Sequence, residues 1–321
     1  MHKTLADVRF IGEGLQRPEC VLTTRRGVLY VSDREGYATI APDGAVTRVR
    51  AANPPEHFLP NGIALLPDGS VLIADLGLGG GVWRMTPDGA LAPWLMEVDG
   101  IRLHPTNFVG LDASGRYWIT VSTRLVPREQ AMVRGYGDGY IILVDGAGAR
   151  IVAEGIGFTN EAIPDPAGRF LYVNETQGRR ISRLPILDGR LGARETVCEF
   201  DEGIWPDGMA HDAEGGVWVV SVVSNRVLRI DTHTGQAELF LEDADPSDVA
   251  QAEAAWRSGG PMPRHLLDIG GKRTLGNASS LAFGGPDLRT LYIGTLAGSR
   301  IGMIHSPVRG AEPVQWHFHP S

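Results

Sequence analysis

Residues 157–176 read GFTNEAIPDPAGRFLYVNET, in which a polar amide opens a short apolar run and a second apolar run ends in polar residues. The two runs are separated by Asp165-Pro166-Ala167-Gly168, and Asp, Pro and Gly are typical of a tight turn. Two short apolar runs joined by such a turn predict a β-hairpin. The polar residue Asn160 lies at the start of the first strand of this hairpin.

The same hairpin occurs six times along the chain. The copies span residues 17–33, 59–75, 105–120, 157–176, 205–220 and 277–293. Aligned on the turn, one position carries an oxygen-bearing side chain in every copy: Glu19, Asn61, Asn107, Asn160, Asp207 and Ser279. Successive positions are 42, 46, 53, 47 and 72 residues apart, which is close to the ~40–50 residues of known propeller repeats in all but the last interval.

A second hairpin follows each copy, as in residues 37–49, which turn at Asp43-Gly44. Each period therefore contains two hairpins, or four strands. We predict an all-β fold, a six-bladed β-propeller of four-stranded antiparallel blades around a central channel, formed by residues 1–321 as a single domain. Residues 5–11 have no hairpin partner nearby in sequence, and we expect them to form the strand that closes the ring.

Composition and charge argue against several classes of protein. The formal net charge is −8, and no stripe of Lys and Arg offers a nucleic-acid surface. Cys20 and Cys198 are too few for a disulfide framework or a thiolate metal site, and we expect both to be buried. No apolar run approaches the ~18 residues of a membrane helix, and the first residues lack the apolar core of a secretory signal. We expect a cytoplasmic protein without nucleic-acid or membrane partners, and the sequence does not indicate its oligomeric state.

Two segments exceed the repeat. Residues 123–138 lengthen blade three, and residues 242–276 enlarge the connection into blade six. An Ala-rich stretch in the second segment predicts a short helix that begins at Ser247 or Pro246. Long loops in compact domains are usually functional or disordered, and we interpret the second segment as a lid.

The aligned polar position indicates a metal site. In a propeller the first strand of each blade lines the channel, so the six polar side chains are expected to converge. Carboxylates and amides buried together are costly without a partner, and a hard divalent cation relieves that cost. Calcium accepts carboxylate and amide oxygens, whereas zinc prefers His or Cys. We therefore expect one divalent cation, Ca²⁺ first, with Zn²⁺, Mn²⁺ and Mg²⁺ as alternatives.

The chain resembles the family of regucalcin, gluconolactonase and luciferin-regenerating enzyme in four ordered motifs: Pro18-Glu19, Thr106-Asn107, Thr159-Asn160-Glu161 and Trp205-Pro206-Asp207-Gly208-Met209-Ala210. The resemblance covers nearly the whole chain and implies a six-bladed propeller with an axial divalent metal. It implies metal ligation by Glu19, Asn160 and Asp207. Asn107 is implied as a fourth ligand or a substrate contact.

Other side chains are candidates for substrate contact. Asn61 belongs to the aligned set, and Arg264 and His265 lie in the second long segment. Sugar lactonases of the family carry Arg-x-Asn-Asp where this chain has residues 105–108, PTNF, so an Arg and an Asp are missing. We expect His265 to be a lid residue, and Arg124 and Arg264 are the two candidates to replace the missing Arg. His104 and His211 could also approach the channel mouth, but we expect structural roles for them.

The resemblance implies hydrolysis of a cyclic ester by a metal-dependent lactonase. The metal would polarise the carbonyl group, and Asp207 would either deprotonate water or attack directly. Two alternatives stay open, a metal-dependent phosphotriesterase or arylesterase at the same site, and a non-catalytic binding propeller. The expected partner is a small-molecule lactone or ester.

The departures from the family motif also predict a substrate preference. The missing Arg and Asp remove two polar contacts, and Phe108 is expected to pack in the core. Without those contacts a site discriminates poorly for a polyol, whereas apolar walls gain affinity from each methylene group. We therefore expect a larger or less polar lactone to be preferred to gluconolactone. The apolar walls are expected from four residues of the second long segment: Trp256, Met262, Leu266 and Leu267.

Overall fold

The computed structural model describes residues 2–318, and its strands form six small antiparallel sheets arranged as the blades of a ring. The predicted all-β, six-bladed propeller is confirmed. The chain begins with β1 (Arg9–Ile11) and continues into blade 1, which contains β2 (Val21–Thr23), β3 (Leu29–Asp33), β4 (Gly36–Ile40) and β5 (Val46–Arg50). Blade 2 contains β6 (Pro60–Leu65), β7 (Val71–Asp75), β8 (Val82–Met85) and β9 (Leu91–Leu95).

A separate short hairpin precedes blade 3. It pairs β10 (Glu97–Val98) with β11 (Ile101–Arg102). Blade 3 contains β12 (Thr106–Leu111), β13 (Tyr117–Val121), β14 (Gly139–Asp145) and β15 (Gly148–Ile156). Blade 4 contains β16 (Thr159–Pro164), β17 (Phe170–Glu175), β18 (Arg180–Leu187), β19 (Arg190–Leu191) and β20 (Glu195–Glu199). The outer edge of blade 4 is split, because β19 and β20 both pair with β18, so this blade has five strands where four were predicted.

Blades 5 and 6 complete the ring. Blade 5 contains β21 (Trp205–His211), β22 (Gly216–Val222), β23 (Arg226–Asp231) and β24 (Ala237–Glu242). Blade 6 contains β25 (Ala278–Gly284), β26 (Thr290–Thr295), β27 (Ile301–His305) and, as its outer strand, β1. The helices are α1 (Pro246–Arg257), α2 (Arg264–Leu267) and four 3₁₀ turns at Leu5–Asp7, Arg128–Ala131, Ile269–Lys272 and Val314–His317.

The ring is closed by the two ends of the described chain. Phe10 of β1 pairs with Gly302 of β27, so the closing strand predicted within residues 5–11 is confirmed in its second half. Its first half forms a 3₁₀ turn instead. The backbone N–H of Thr4 donates to the Asp7 carboxylate (2.9 Å), an arrangement that favours a helical turn over an extended strand.

Adjacent blades pack their apolar faces against each other. In one cluster Trp118 and Ile141 of blade 3 are buried together with Leu171 and Val173 of blade 4. Within residues 2–318, no helix has the length and apolar character needed to span a bilayer. The apolar residues of the strands are therefore used between the blades, and the channel is left to the polar position at the start of each inner strand. As predicted, the two cysteines are buried and unpaired: Cys20 and Cys198.

The Asp/Gly turns of blades 3 and 5 are anchored to buried tryptophans. Asp112 and Asp212 each accept a hydrogen bond from the indole N–H six residues later, on Trp118 and Trp218, at 3.0 Å. Each carboxylate also accepts backbone N–H groups of its own turn. Each Asp thus fixes the register of the inner hairpin at its turn. The same register keeps the other end of the inner strand in place at the channel mouth.

Helix α1 begins at Pro246, one of the two predicted starting residues. Asp245 is the N-cap, and its carboxylate accepts the backbone N–H groups of Ser247 (2.9 Å) and Asp248 (3.3 Å). Pro246 occupies the first helical turn, where its missing N–H group costs nothing. The predicted start at Pro246 is therefore confirmed, with Asp245 as its N-cap.

Arg179 joins α1 to the propeller, and we expect its loss to destabilise the protein. Its guanidinium is buried, lies 2.9 Å from the Glu253 carboxylate of α1 and donates to the carbonyl of Ile204 (3.0 Å). Replacing it in Arg179→Met leaves the buried Glu253 carboxylate with only the more distant cation Arg257 (3.6 Å), so we expect the free energy of unfolding to fall by roughly 2–3 kcal/mol. The matched control is Arg183→Met, which breaks an exposed pair with Glu195 and should cost less than about 1 kcal/mol. Equal losses for the two variants in denaturant titrations would contradict this account.

Candidate active site

The aligned polar residues lie at irregularities in the strand pairing. In blades 2 to 6 the register between the first two strands shifts at a β-bulge near the start of the inner strand. A bulge turns a side chain away from the regular alternation of the strand, here toward the channel. Glu19 of blade 1 lies two residues before β2. The residues within the bulges are Asn61, Asn107, Asn160, Asp207 and Ser279.

Five of the six aligned side chains converge on one small cavity at the channel mouth. The cavity has a volume of about 40 Å³, and its polar wall includes Glu19, Asn61, Asn107, Asn160 and Asp207, all of them buried. Ser279 is the exception, and the expectation that all six converge is corrected there. Its hydroxyl group donates to the backbone carbonyl of Glu19 (2.9 Å), so it supports the chain that carries the carboxylate.

The two buried carboxyl groups of the cavity, those of Glu19 and Asp207, resist ionisation. Burial raises the pKa of Glu19 to about 8, although the neighbouring Arg17 guanidinium opposes the shift. Burial also raises the pKa of Asp207 to about 7, against the lowering effects of Arg128 and of the hydrogen bond from Asn160. Repulsion from the Asp207 carboxylate adds to the upward shift of the Glu19 pKa. A positive charge between the two groups would relieve both the burial cost and the repulsion.

Two buried oxygens in this cavity have no hydrogen-bond donor. They are Glu19 Oε2 and Asn160 Oδ1. The Asn160 amide nitrogen donates to Asp207 Oδ1, so the free amide oxygen and the two carboxylates face the same small space. Unsatisfied oxygens are rare in protein interiors, and carboxylate and amide oxygens are ligands of hard divalent cations. The residues present therefore fit a divalent cation of the calcium type.

The donor set is limited to two acids supplemented by amides. Among the residues that the structure describes, no group of three or more His, Cys, Asp and Glu side chains could hold a metal ion. Asn61 and Asn107 support the cavity from one side, because Asn61 Nδ2 donates to the backbone carbonyl of Asn107 (2.8 Å) and Asn107 Nδ2 donates to Ser122 Oγ (3.1 Å). Both amide oxygens already accept one hydrogen bond, Asn61 Oδ1 from Arg17 (2.7 Å) and Asn107 Oδ1 from Asn61 Nδ2 (3.4 Å), so each keeps one lone pair for an ion, its waters or a substrate.

Two residues at the end of β17, the second strand of blade 4, hold Asp207 in place. Asn174 Nδ2 donates to the backbone carbonyl of Asp207 (2.7 Å), and Thr176 Oγ1 donates to the carbonyl of Pro206 (2.8 Å). Thr176 also lines the cavity. Sequence reasoning missed both residues, although the polar end of the repeated hairpin, Asn174-Glu175-Thr176, was the available signal.

Three arginines stand in the wall of the cavity, and only Arg264 was predicted. Arg264 donates to Asp268 at the rim (2.8 Å). Arg17 has a left-handed backbone (φ 55°), which is unusual for a long side chain, and donates to the carbonyl of Pro60 (2.8 Å) and to Asn61 Oδ1 (2.7 Å). Both of these guanidiniums therefore have oxygen partners.

Arg128 is the third arginine and has a different environment. Its guanidinium stacks on the ring of Phe158 at 4.8 Å, and its Nε and Nη1 atoms are buried without any hydrogen-bond acceptor. Burial, together with the charge of Arg264, lowers the pKa of Arg128 to about 9, so the group stays charged at neutral pH. No repeat places this residue, because it lies on the 3₁₀ turn Arg128–Ala131 of the first long segment.

The three candidate histidines do not line the cavity. His265 was predicted to contact substrate, but it is exposed and lies outside the cavity wall. The reason is helical spacing, since Arg264 and Leu267 share one face of α2 while the next residue points away. His211 lines a different cavity, where burial lowers its pKa to about 4 and its ring meets Tyr172 edge-on at 5.0 Å. His104 borders neither cavity.

The two long segments together cover the cavity. The first contributes Arg128 and Met132, the second contributes Arg264, Leu267 and Asp268. The segments are joined by a hydrogen bond from the backbone N–H of Met262 to the carbonyl of Met132 (2.8 Å). They also share one apolar cluster with Phe158 and Trp205 of the blades.

The four residues expected to form apolar walls are mostly used elsewhere. Only Leu267 lines the cavity. Met262 and Leu266 are buried inside the cover, and Trp256 is held between the guanidiniums of Arg134 (4.7 Å) and Arg179 (4.6 Å). The basis for a less polar substrate is therefore weaker than the sequence suggested, because charged groups occupy positions assigned to apolar ones.

A second, larger cavity lies further along the channel. Its volume is about 300 Å³, and its wall is mostly apolar, with the predicted core residue Phe108 among its members. The carboxyl group of Glu161 faces it, accepts the backbone N–H of Met209 (2.8 Å) and has a pKa raised well above its usual range by burial. Asp112, another buried acid of this wall, is already paired with Arg116 (2.7 Å), whereas the smaller cavity gathers two buried acids and three amides, so we take the smaller cavity as the candidate active site.

Comparison with known proteins places the chain among similar propellers. The family model for the SMP-30/gluconolactonase/LRE-like region matches residues 17–239. A 6-deoxy-6-sulfogluconolactonase of Pseudomonas putida is 27% identical over 290 residues, which cover 86% of this chain and 81% of that protein.

Solved structures with low sequence identity have the same fold. The calcium-binding protein regucalcin of Agrobacterium tumefaciens superposes with a TM-score of 0.67 at 19% identity, covering 97% of this chain and 98% of that one. A luciferin-regenerating enzyme superposes with a TM-score of 0.68 at 16% identity, covering 96% and 99%. At these identities the likeness supports the propeller fold alone. The chemistry has to be inferred from the residues of the cavity.

Proposed function

The chain belongs to the SMP-30/gluconolactonase/LRE-like family, and from that premise we propose that it is a divalent-cation-dependent lactonase that hydrolyses a cyclic ester at the small cavity. One observation carries the proposal: Glu19 Oε2 and Asn160 Oδ1 are buried without a donor beside the Asp207 carboxyl group. A relative named as a 6-deoxy-6-sulfogluconolactonase supports the lactonase half of the proposal, and the cation half rests on the oxygens of the cavity.

The proposed ligands are Glu19, Asn160 and Asp207, with Asn107 as a fourth ligand or a contact to the substrate. A divalent cation held there supplies Lewis-acid polarisation of the lactone carbonyl and stabilises the negative charge that develops on its oxygen. Calcium suits the carboxylate and amide oxygens of this set, and none of the four side chains is the His or Cys that zinc prefers. Cation binding would also hold both carboxyl groups ionised.

Asp207 is the proposed catalytic residue. In hydrolysis a water oxygen bonds to the carbonyl carbon, the ring C–O bond breaks, and the ring oxygen leaves as a hydroxyl group after it receives a proton. The Asp207 carboxylate takes the proton from the attacking water or attacks the carbonyl carbon itself. Its backbone is fixed through Asn174 and Thr176, so the carboxylate is oriented before the substrate arrives.

Substrate entry requires the cover to shift. A cavity of about 40 Å³ has room for an ion and a water or two, but it is too small for a lactone ring. The covering segments meet across Met262 and Met132, and the exposed ion pair between Arg264 and Asp268 lies at the rim. We therefore place Arg264, together with Asn61, among the groups that contact the substrate or its waters once the ring has entered.

The proposed reaction is tested against its rivals with three neutral substrates. We expect kcat/KM for gluconolactone, measured with calcium present, to exceed the values for paraoxon and for phenyl acetate by about 100-fold or more. Faster cleavage of the phosphotriester or the aryl ester would replace the lactonase assignment by the corresponding esterase. Absence of hydrolysis with all three, and with alkyl-substituted lactones, would leave a binding propeller.

A further inference from the structure

The charges in the wall of the small cavity balance without a cation. Three guanidiniums, from Arg17, Arg128 and Arg264, face three carboxyl groups, from Glu19, Asp207 and Asp268. Their formal charges sum to zero when all six groups are ionised. Adding the divalent cation of the proposed function would leave an excess of two positive charges beside the buried side chains of the cavity. Such an excess calls for an anionic ligand, because an uncompensated buried charge is costly.

Two of the three arginines form no ion pair with the carboxylates of the cavity. Within residues 2–318, neither Arg17 nor Arg128 forms an ion pair, and Arg17 donates to neutral carbonyl and amide oxygens. Arg128 Nε and Nη1 are buried and have no acceptor at all. If Arg128 served only to neutralise the acids of the cavity, its donors would be satisfied by them. Guanidinium donors that are buried without an acceptor call for oxygens such as those of a carboxylate, sulfonate or phosphate group.

The position of Arg128 also keeps it ready for a ligand. Its guanidinium carbon lies 4.8 Å from the centre of the Phe158 ring, a contact that holds the group without using any of its hydrogen bonds. Arg128 belongs to the first of the two long segments that cover the cavity, and Arg264 belongs to the second. The two guanidiniums therefore face the ion site from the side through which a substrate must enter.

We propose that the arginine wall formed by Arg17, Arg128 and Arg264 is an anion subsite, and that the preferred lactone carries an oxyanion substituent, a carboxylate, sulfonate or phosphate. This inference rests on the proposed lactonase function and names the substrate class of that site. Arg128 provides the two free donors, and the partly exposed Arg264 exchanges its pair with Asp268 for the incoming group. The substrate is thus more polar than the sequence alone indicated.

The experiment compares gluconolactone with derivatives that bear a phosphate, a sulfonate or a carboxylate at C6. We expect kcat/KM for at least one anionic derivative to exceed that of gluconolactone by roughly 100-fold, and the best of the three identifies the group. In Arg128→Met the ratio of anionic to neutral kcat/KM should fall to within about threefold of one. In Arg128→Lys, which keeps the charge but loses the fork, the ratio should be intermediate.

A binding measurement supplies a readout that does not depend on turnover. Glucose 6-phosphate and glucose share a ring but cannot be hydrolysed as lactones, and calorimetry should detect binding of the phosphate ester alone, with the signal lost in Arg128→Met. The matched control is Arg124→Met in the same segment, whose guanidinium stacks on Tyr140 (4.4 Å) outside the cavity and should leave every value unchanged.

The outcomes separate the two proposals. If the protein opens neutral and anionic lactones at equal kcat/KM and binds neither sugar, the anion subsite is wrong and the lactonase function stands. If it opens no lactone but binds glucose 6-phosphate through Arg128, the lactonase function is wrong and the subsite stands. Should Arg128→Met fail to fold, the ratio in the unaltered protein and in Arg128→Lys decides the question, and a ratio of one or below in the unaltered protein overturns the proposal.

Discussion

We expect Asp207→Asn to lower kcat/KM for lactone opening by about 1000-fold while the propeller stays folded. The substitution keeps the shape of the side chain, and its amide can still contact Asn160. It removes the group that accepts a proton or attacks the carbonyl carbon, and it also removes one of the two ligand charges. Stability is distributed over six blades, so the thermal midpoint should change little.

The control for this variant is another buried carboxyl group with a raised pKa. Asp75 accepts the backbone N–H groups of Leu59 (2.9 Å) and Gly77 (2.8 Å), and burial raises its pKa to about 6, but it does not line the cavity. Asp75→Asn should therefore keep kcat/KM within about threefold of the unaltered protein. If Asp207→Asn retained near-normal turnover, Asp207 would have no essential catalytic role, and if it unfolded, its role would be structural.

The second large effect concerns ion binding. We expect Glu19→Gln to weaken calcium binding at least about 100-fold, because it removes one of two ligand charges while leaving an amide of the same size. Glu19 Oε2 has no hydrogen-bond donor to lose, so the substitution sacrifices nothing else that the structure shows at that oxygen. Isothermal calorimetry of cation-stripped protein measures the change.

Asp268→Asn is the matched control for Glu19→Gln. Both variants remove one negative charge from the wall of the same cavity, but Asp268 is partly exposed at the rim and already paired with Arg264. Its loss should weaken calcium binding less than about fivefold. Equal losses in the two variants would mean that the cavity attracts cations by overall charge, and ligation by Glu19 would be rejected.

The repeat in the sequence predicted much of this site because the same local irregularity recurs in it. Each inner strand from blade 2 to blade 6 begins with a β-bulge, so alignment of the hairpins also aligned the side chains that turn into the channel. Asn160 and Asp207 were brought together in this way from 47 residues apart in the chain. The prediction was wrong for Ser279, because its short hydroxyl group reaches only the neighbouring backbone, at the carbonyl of Glu19.

The rest of the site could not be predicted from the repeat, because it comes from segments outside it. Arg128 and Arg264 lie in the two long segments, whose path depends on how they pack against each other. His265 and Arg264 are adjacent in sequence, and only the orientation of a four-residue helix decides which of them faces the cavity. Arg17 precedes the aligned position by two residues, and its left-handed backbone gives no signal in a hydrophobic pattern.

The most direct test of the central claim is the rate of lactone opening by the same protein before and after its cations are removed. We predict that a preparation stripped with a chelator loses at least about 99% of its kcat/KM, since the carbonyl is then no longer polarised, and that added calcium restores the rate. The lactone should be the best member of the C6 series, assayed at fixed pH and corrected for spontaneous hydrolysis. A stripped protein that opens the lactone at its original rate would contradict the account.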